Sequence, residues 1–247
     1  MILISDVYNL LLDEIRTDKR GLSLSPDEFN RTIRVVNEEL YLDFVDGFEG
    51  DIESSDTMGW FKEYDYNIAL VAGVGTLPDN YYQMIGKPKT SAVSPYYRAD
   101  LVSSYEFACR EEDYLTQPTT IHPVFRIGGR DANEDLTINV APTSIANIWI
   151  DYLRVPTTPY LDWYVNNLTY NYTFLAETAV AQTVPLGSTY RDGTAGIANV
   201  TSLTVNLEWS DEDLPLIMAK LREKVGIQLP DQLLIETANI NEAKLKA

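Results

Sequence analysis

The chain has 247 residues, with 37 Asp and Glu against 19 Lys and Arg, a formal net charge of −18. At 45% hydrophobic, 11% aromatic and only 23% charged residues it is too apolar for a disordered acidic tail, so a packed chain with a sizeable core is expected. A single cysteine, Cys109, excludes an internal disulfide, and a single histidine, His122, leaves too little for a zinc ribbon.

In chain order, Met1 to Asp6 has no cationic stretch and does not read as a secretion signal. No span approaches the roughly 18 apolar residues of a membrane helix. The expectation is a soluble protein made in a cytoplasm, whose sequons at Asn167, Asn171 and Asn199 stay unmodified. Ile4, Val7, Tyr8, Leu11, Leu12 and Ile15 follow helical spacing after a Ser5 cap. Ser25-Pro26-Asp27-Glu28 reads as a capping box with proline at the first helical position. Phe29, Ile33, Val36, Leu40 and Phe44 then form one apolar stripe, with Gly47 as the stop. The densest negative run, Asp43, Asp46, Glu49, Asp51, Glu53 and Asp56, contains no base and is expected to be a solvated loop.

Further along, Gly73-Val74-Gly75 lacks the following helix that a phosphate-binding turn requires, because Leu77-Pro78 intervenes, so it reads as a strand end and turn. Cys109 sits in a plausibly helical Tyr105–Cys109 stretch, where a small buried thiol is expected. His122, between Ile121 and Pro123, reads as a structural residue in an extended segment. Asp131, Asn133 and Asp135 copy a calcium loop, but Leu136 replaces its obligatory glycine and Pro142 its bidentate glutamate, so a hairpin turn is expected. Alternation of apolar and polar residues over 136–140, 168–174 and 203–207 predicts half-buried strands, and 148–155, apolar on both faces, predicts a central one. Leu214, Ile217, Leu221 and Val225 predict a helix with Pro215 in its first turn, stopped by Gly226 and Pro230, and Asp231 caps a final helical segment.

The fold class is therefore α+β, with N- and C-terminal helices bracketing a mainly antiparallel β region. Along the chain this divides into a helical part (1–47), a mixed, loop-rich part (48–117), a β region (118–208) and C-terminal helices (209–247). Segments 46–57 and 187–196 have little to bury alone and are expected to order on assembly. No catalytic constellation emerges: the one histidine has no paired nucleophile, and 37 acids make any carboxylate pair uninformative. No metal or cofactor is expected. Phosphate contacts require clustered Lys/Arg, and a net charge of −18 opposes gripping nucleic acid. The same charge would let DNA pass without sticking, by repulsion within a Debye length of about 8 Å.

The landmarks Gly21-Leu22-Ser23-Leu24-Ser25-Pro26-Asp27-Glu28-Phe29-Asn30, Leu77-Pro78-Asp79-Asn80-Tyr81-Tyr82 and Pro118-Thr119-Thr120-Ile121-His122-Pro123-Val124-Phe125 come in that order. Val140-Ala141-Pro142-Thr143 and Asp151-Tyr152-Leu153-Arg154-Val155-Pro156-Thr157-Thr158-Pro159 follow. Together they resemble the ring, or head–tail connector, proteins of crAss-like tailed bacteriophages. The resemblance runs from the first helix to the last and rests on short landmarks without catalytic signatures. It implies a non-enzymatic virion subunit that assembles with copies of itself into a closed ring, twelve-fold, in the phage neck. Its partners would be the portal and neighbouring neck and tail proteins, with DNA passing through the channel unbound and no membrane involved.

Two surfaces are candidates within that reading. The segment 152–160, with Tyr152, Arg154, Pro156, Pro159 and Tyr160, cannot pair continuously because prolines lack donors, so it either reaches a neighbouring subunit or is an ordinary loop on its own sheet. The acidic run Asp43, Asp46, Glu49, Asp51, Glu53 and Asp56 would face the channel or a basic partner. Competing readings are a tail-associated receptor- or carbohydrate-binding module using aromatic platforms, an acidic hydrolase, or another structural tail or neck component.

Overall fold

The computed structural model describes residues 1–17, 24–48, 58–91 and 96–226. The chain folds as an α+β protein in two compact units, one made of Met1–Thr57 with Pro156–Ala247, the other of Met58–Val155. The segment 118–208, expected as one β region, thus contributes strands to both units. Its first part closes the sheets of the second unit, and its last part returns to the helices of the first.

In the first unit, α1 (Ile4–Thr17) buries Ile4, Val7, Tyr8, Leu11 and Ile15, the stripe its spacing predicts. Ser5 is not the cap. The helix begins one residue earlier, and the free Ile4 N–H donates to Asn206 Oδ1 at 3.0 Å, so the cap comes from the far end of the chain. In α2 (Pro26–Gly47) the capping box forms as read: Glu28 N–H donates to Ser25 Oγ at 3.3 Å, and Ser25 N–H donates to the Glu28 carboxylate at 3.0 Å. The Ser25 N–H, and then the Ser25 hydroxyl, which donates to the same carboxylate at 2.8 Å, hold the Glu28 carboxyl below its usual range. Phe29, Ile33, Val36 and Leu40 are buried, and Asn30 and Asn37 are buried beside them. Asp43 and Asp46 belong to this helix and not to a loop, a correction to the sequence reading.

The third helix of the unit is α4 (Leu214–Val225). A 3-10 turn, Asp211–Asp213, with its own capping box on Ser210, leads into it, and Gly226 at φ +78° ends it in the left-handed region that glycine tolerates. Ile217, Met218 and Leu221 are buried, while Lys220, Arg222 and Lys224 meet Asp43, Glu14 and Glu39 of the other two helices. The segment from Asp231 onwards lies outside the described residues.

Strands β8 (Trp163–Asn166), β9 (Tyr172–Phe174) and β10 (Ser188–Tyr190) form a small antiparallel sheet in the order β10-β8-β9. The strand expected over 168–174 is half turn. Asn166 Oδ1 accepts from Leu168 N–H (2.9 Å) and Thr169 N–H (3.1 Å), and Tyr170 takes φ +57°, so the chain reverses before β9 begins. A local asparagine turn outcompetes the period-two pattern, leaving Leu168 and Tyr170 outside. Over 203–206 the alternation is inverted, with Thr204 and Asn206 facing inward and Leu203 outward, while Leu207 is buried as the pattern predicts; only the isolated bridges of Val205 with Tyr160 and Leu207 with Ile2 form. Within 187–196, Tyr190 is buried against Leu175, Val184 and Val200.

The second unit is built on β1 (Lys62–Ala69), β2 (Val74–Thr76), β3 (Tyr81–Lys89), β4 (Asp100–Leu101), β5 (Val124–Arg130), β6 (Leu136–Ala141) and β7 (Asn147–Arg154). One sheet has the order β1-β7-β3 and the other β2-β6-β5-β4, antiparallel except for β4 against β5. The predicted central strand is central, since β7 pairs on both sides. Ile68, Leu77, Phe125, Ile138, Ile148, Ile150 and Tyr152 make the core. Gly75 permits it: a Cβ there would stand 2.5 Å from Ile68 Cγ2. Asp131 closes the β5–β6 hairpin as expected, its carboxylate accepting the N–H groups of Asn133 and Asp135. The helix α3 (Ser104–Glu112) packs through Phe107 on Val102, Val124 and Ala141. Cys109 lies on its exposed side, because a nine-residue helix with one buried side chain has only one inner face. His122 is exposed in a turn closed by Thr119, not held in an extended segment.

Candidate functional site

The structure gives the two candidate surfaces different standing. Tyr152 lies in the apolar core of its unit, its hydroxyl donating to Asn80 Oδ1 at 3.0 Å and its acidity weakened by burial. Arg154 is held between Glu63 (3.4 Å) and the Trp60 carbonyl (3.2 Å), with its guanidinium over the Phe61 ring. In the other unit Pro156 and Pro159 are buried, and Tyr160 pairs with Val205 and accepts a hydrogen bond from Arg191. These side chains are engaged inside their own units, which is the ordinary-loop alternative. Of the acidic run, Asp43 is paired with Lys220 at 2.6 Å and Asp46 is exposed near the end of α2. Glu49, Asp51, Glu53 and Asp56 lie outside the described residues.

The most completely built polar cluster is one that the sequence reading missed. Asp162 is fully buried, with both carboxylate oxygens engaged. Oδ1 accepts from Trp163 N–H (3.0 Å) and faces Arg191 Nε (2.8 Å), while Oδ2 accepts from Tyr190 OH (2.6 Å) and Leu203 N–H (3.0 Å). Arg191 also donates to Tyr160 OH and lies over the Tyr160 and Tyr190 rings, 5.4 and 5.2 Å from their centroids. Burial opposes the guanidinium charge, but Tyr190, Tyr160 and Asp162 more than offset it, so Arg191 holds its proton more tightly than usual. Burial, then the bond to Asp162, pushes the Tyr190 hydroxyl pKa up. With every oxygen occupied by a donor from its own unit, the cluster ties 160–163, 190–191 and 203 together and presents nothing to a substrate. A buried aspartate flanked by Leu161 and Trp163, with one arginine in the following forty-five residues, was the available signal.

Two hollows remain. In the second unit a cavity of about 400 Å³ is lined by Met84, Lys87, Asp100, Glu106, Arg110 and Phe125, but its charges are already matched, Lys87 to Asp100 and Arg110 to Glu106. In the first unit a groove of about 610 Å³ lies between α1 and the β8–β9 hairpin, lined by Tyr8, Asn9, Leu12, Ile15, Arg16, Tyr170, Asn171, Tyr172 and Phe174. Arg16 is paired with Asp13 at an exposed position, and among the described residues no carboxylate lines the groove. Among the described residues no group of three His, Cys, Asp or Glu side chains could hold a metal ion.

Beside this groove the surface changes character. From Trp163 to Leu207 the only charged residues are Glu177, Arg191 and Asp192, and Arg191 is taken by Asp162. Leu168 and Leu186 protrude there, 88% and 94% exposed, on adjoining segments, since Asn167 N–H donates to the Gly187 carbonyl at 3.0 Å. In the second unit Tyr105, in the first turn of α3, and Tyr114 and Leu115, just after its end, are likewise over four-fifths exposed. No described helix is long and apolar enough to cross a membrane. The chain matches no protein-family model and no curated protein.

Proposed function

We propose that this chain is a structural subunit of a tailed-phage virion. It assembles with copies of itself into a closed ring of the neck, between portal and tail, and continues the DNA channel without chemistry of its own. The observation that carries the reading is the set of large apolar side chains left almost wholly in water on short loops, Leu115, Leu168 and Leu186 foremost. Single exposed leucines are ordinary, but tips this prominent on both units are what association covers. The charge distribution supports passage of DNA without binding. The lysines and arginines of α4 are each paired with a carboxylate of another helix, so the unmatched surface charge is predominantly acidic. In this reading the chain is synthesised in the bacterial host cytoplasm and ends in the virion, with portal and neighbouring neck or tail proteins as partners.

The test is the state of the purified protein and its place in particles. A defined ring-sized species in light scattering, and density for this chain beside the portal in imaged particles, are expected. A protein that stays monomeric at all concentrations and never co-purifies with portal-containing particles would end the reading.

A further inference from the structure

One half-buried cation of the second unit has no counter-ion among the described residues. The chain carries 37 acids against 19 bases, and Lys87, Lys89, Arg110 and Arg154 of this unit each meet a carboxylate. Arg126 does not. Val124 packs under Phe107 of α3, and two residues further along the same strand face Arg126 lays its guanidinium over the Phe107 ring, 5.0 Å from the centroid. Its Nε is buried and has no hydrogen-bond partner. The helix above it offers Glu106, Glu111 and Glu112, yet Glu106 pairs with Arg110, and the other two are exposed and form no ion pair with Arg126. This guanidinium has lost part of its hydration and gained no acceptor in exchange, and folded proteins rarely leave a charged donor so without a reason such as a bound ion.

A second donor stands beside it. Asn139 is directly opposite Arg126 in the β5–β6 ladder, where facing side chains lie about 5 Å apart. Its side-chain amide makes no hydrogen bond among the described residues, and Nδ2 lies 3.0 Å from the point that a Cβ on Gly128 would occupy. Gly128 therefore has no side chain to cover that amide. The Thr137 hydroxyl beside it is committed, donating to the Gly129 carbonyl at 2.8 Å. Arg126 and Asn139 both stand on paired strands, so little freedom is lost when an acceptor joins them.

Charge and shape select the ligand. A guanidinium lying over a ring and buried at Nε presents its two terminal nitrogens, and a planar carboxylate can accept from both, or from one of them and a neighbouring amide. The site supplies a single positive charge, because Arg130, the next cation on β5, donates to the Glu134 carbonyl at the hairpin. One charge matches a carboxylate monoanion. A phosphate dianion would keep a charge uncompensated, and a polyanionic backbone would also meet the −18 of the whole chain.

We infer that Arg126 and Asn139 form a binding site for a carboxylate group, whose oxygens accept from the Arg126 terminal nitrogens and the Asn139 amide. The site belongs to the second unit alone and stands whether or not the chain assembles.

The experiment uses the unmodified full chain and the arginine reagent phenylglyoxal, with modification at each arginine read by mass spectrometry. Sodium acetate is the probe, compared with sodium chloride at equal ionic strength. Acetate should slow modification of Arg126 about threefold at twice its dissociation constant, as mass action requires, and leave the exposed Arg98 unaffected. Asn139→Leu, which removes the second donor, should lower the protection at the same acetate concentration while Arg126 stays reactive. Raising the protein concentration without acetate separates the sources. Protection of Arg126 that grows with concentration assigns the carboxylate to an Asp or Glu of a second copy, and protection by acetate alone assigns it to a free acid. Equal modification of Arg126 in acetate and chloride, or stronger protection by inorganic phosphate than by acetate, would overturn the site.

Discussion

The two units solve the problem of a core in opposite ways. Every buried Asn, Asp, Ser or Thr side chain among the described residues, namely Asn30, Asn37, Asp162, Ser188, Thr204 and Asn206, belongs to the first unit. The core of the second is Ile, Leu, Val, Phe, Ala and Tyr. The reason is backbone supply. Long ladders around β7 and between β5 and β6 satisfy the peptide groups of the second unit, so its side chains are free to be apolar. The first unit joins three helices to short strands and irregular loops, and side chains complete the pairing. Asn30 imitates a ladder, its amide donating to the Leu161 carbonyl at 2.9 Å while its oxygen accepts from Leu161 N–H at 2.8 Å. Asn37 accepts from the buried Trp209 Nε1–H at 2.7 Å.

The sharpest way to break this comparison is Asp162→Ala. It leaves Arg191 without its counter-ion and the Trp163 and Leu203 N–H groups unpaired, at a cost of about 3–5 kcal/mol. Hydrogen exchange should show lost protection around 160–163, 190 and 203, with the β5–β7 amides unaffected. Equal loss in both units would mean that the two cores are not independent. A smaller effect, about 1–3 kcal/mol, is expected for Asn37→Leu, which keeps the volume but strands the Trp209 N–H, and urea unfolding followed by tryptophan emission measures it.

The described ion pairs of the second unit all keep some contact with water; in one of them Lys89, 18% exposed, lies 2.9 Å from Asp65 and 3.0 Å from Asp151. Removing the ammonium in Lys89→Met should cost about 1 kcal/mol, because Asp65 is half exposed and can be solvated in its place, a smaller shift of the same unfolding curve. Smallest and most pH-dependent is the α2 cap. Because the Glu28 carboxyl has a lowered pKa in the folded protein, its contribution is complete above the ordinary carboxylate value and disappears as pH falls through the folded one. The difference in melting temperature between the unmodified chain and Glu28→Gln should therefore shrink on acidification. A difference that grew would show that the box is not formed.

What could be read in advance was whatever local chemistry decides. The Ser25–Glu28 box, the Pro215 entry and Gly226 exit of α4, the Asp131 turn and the apolar run that makes β7 a central strand are all features of residues within a few positions of one another. Local rules failed where a distant partner competed. Ser5 lost its capping role to Asn206, two hundred residues away, and the 168–174 alternation yielded to the Asn166 turn. The inversion at 203–206 has the same origin, because Thr204 and Asn206 serve backbone groups of other segments and must face inward, which pushes Leu203 out.

The candidate surface shifted for that reason too. Prolines and tyrosines over 152–160 look like a reaching arm in one dimension, yet Tyr152, Pro156 and Pro159 are buried once the chain closes. The groove was invisible because it joins residues of α1 to a hairpin more than 150 positions later. Composition, caps and period thus determined the α+β class, the helices and the central strand from the order of residues alone, since each depends on neighbours along the chain. The division into two units, the buried Asp162 cluster and the exposed leucine tip were decided by the tertiary fold, since burial depends on which distant segments come to lie together.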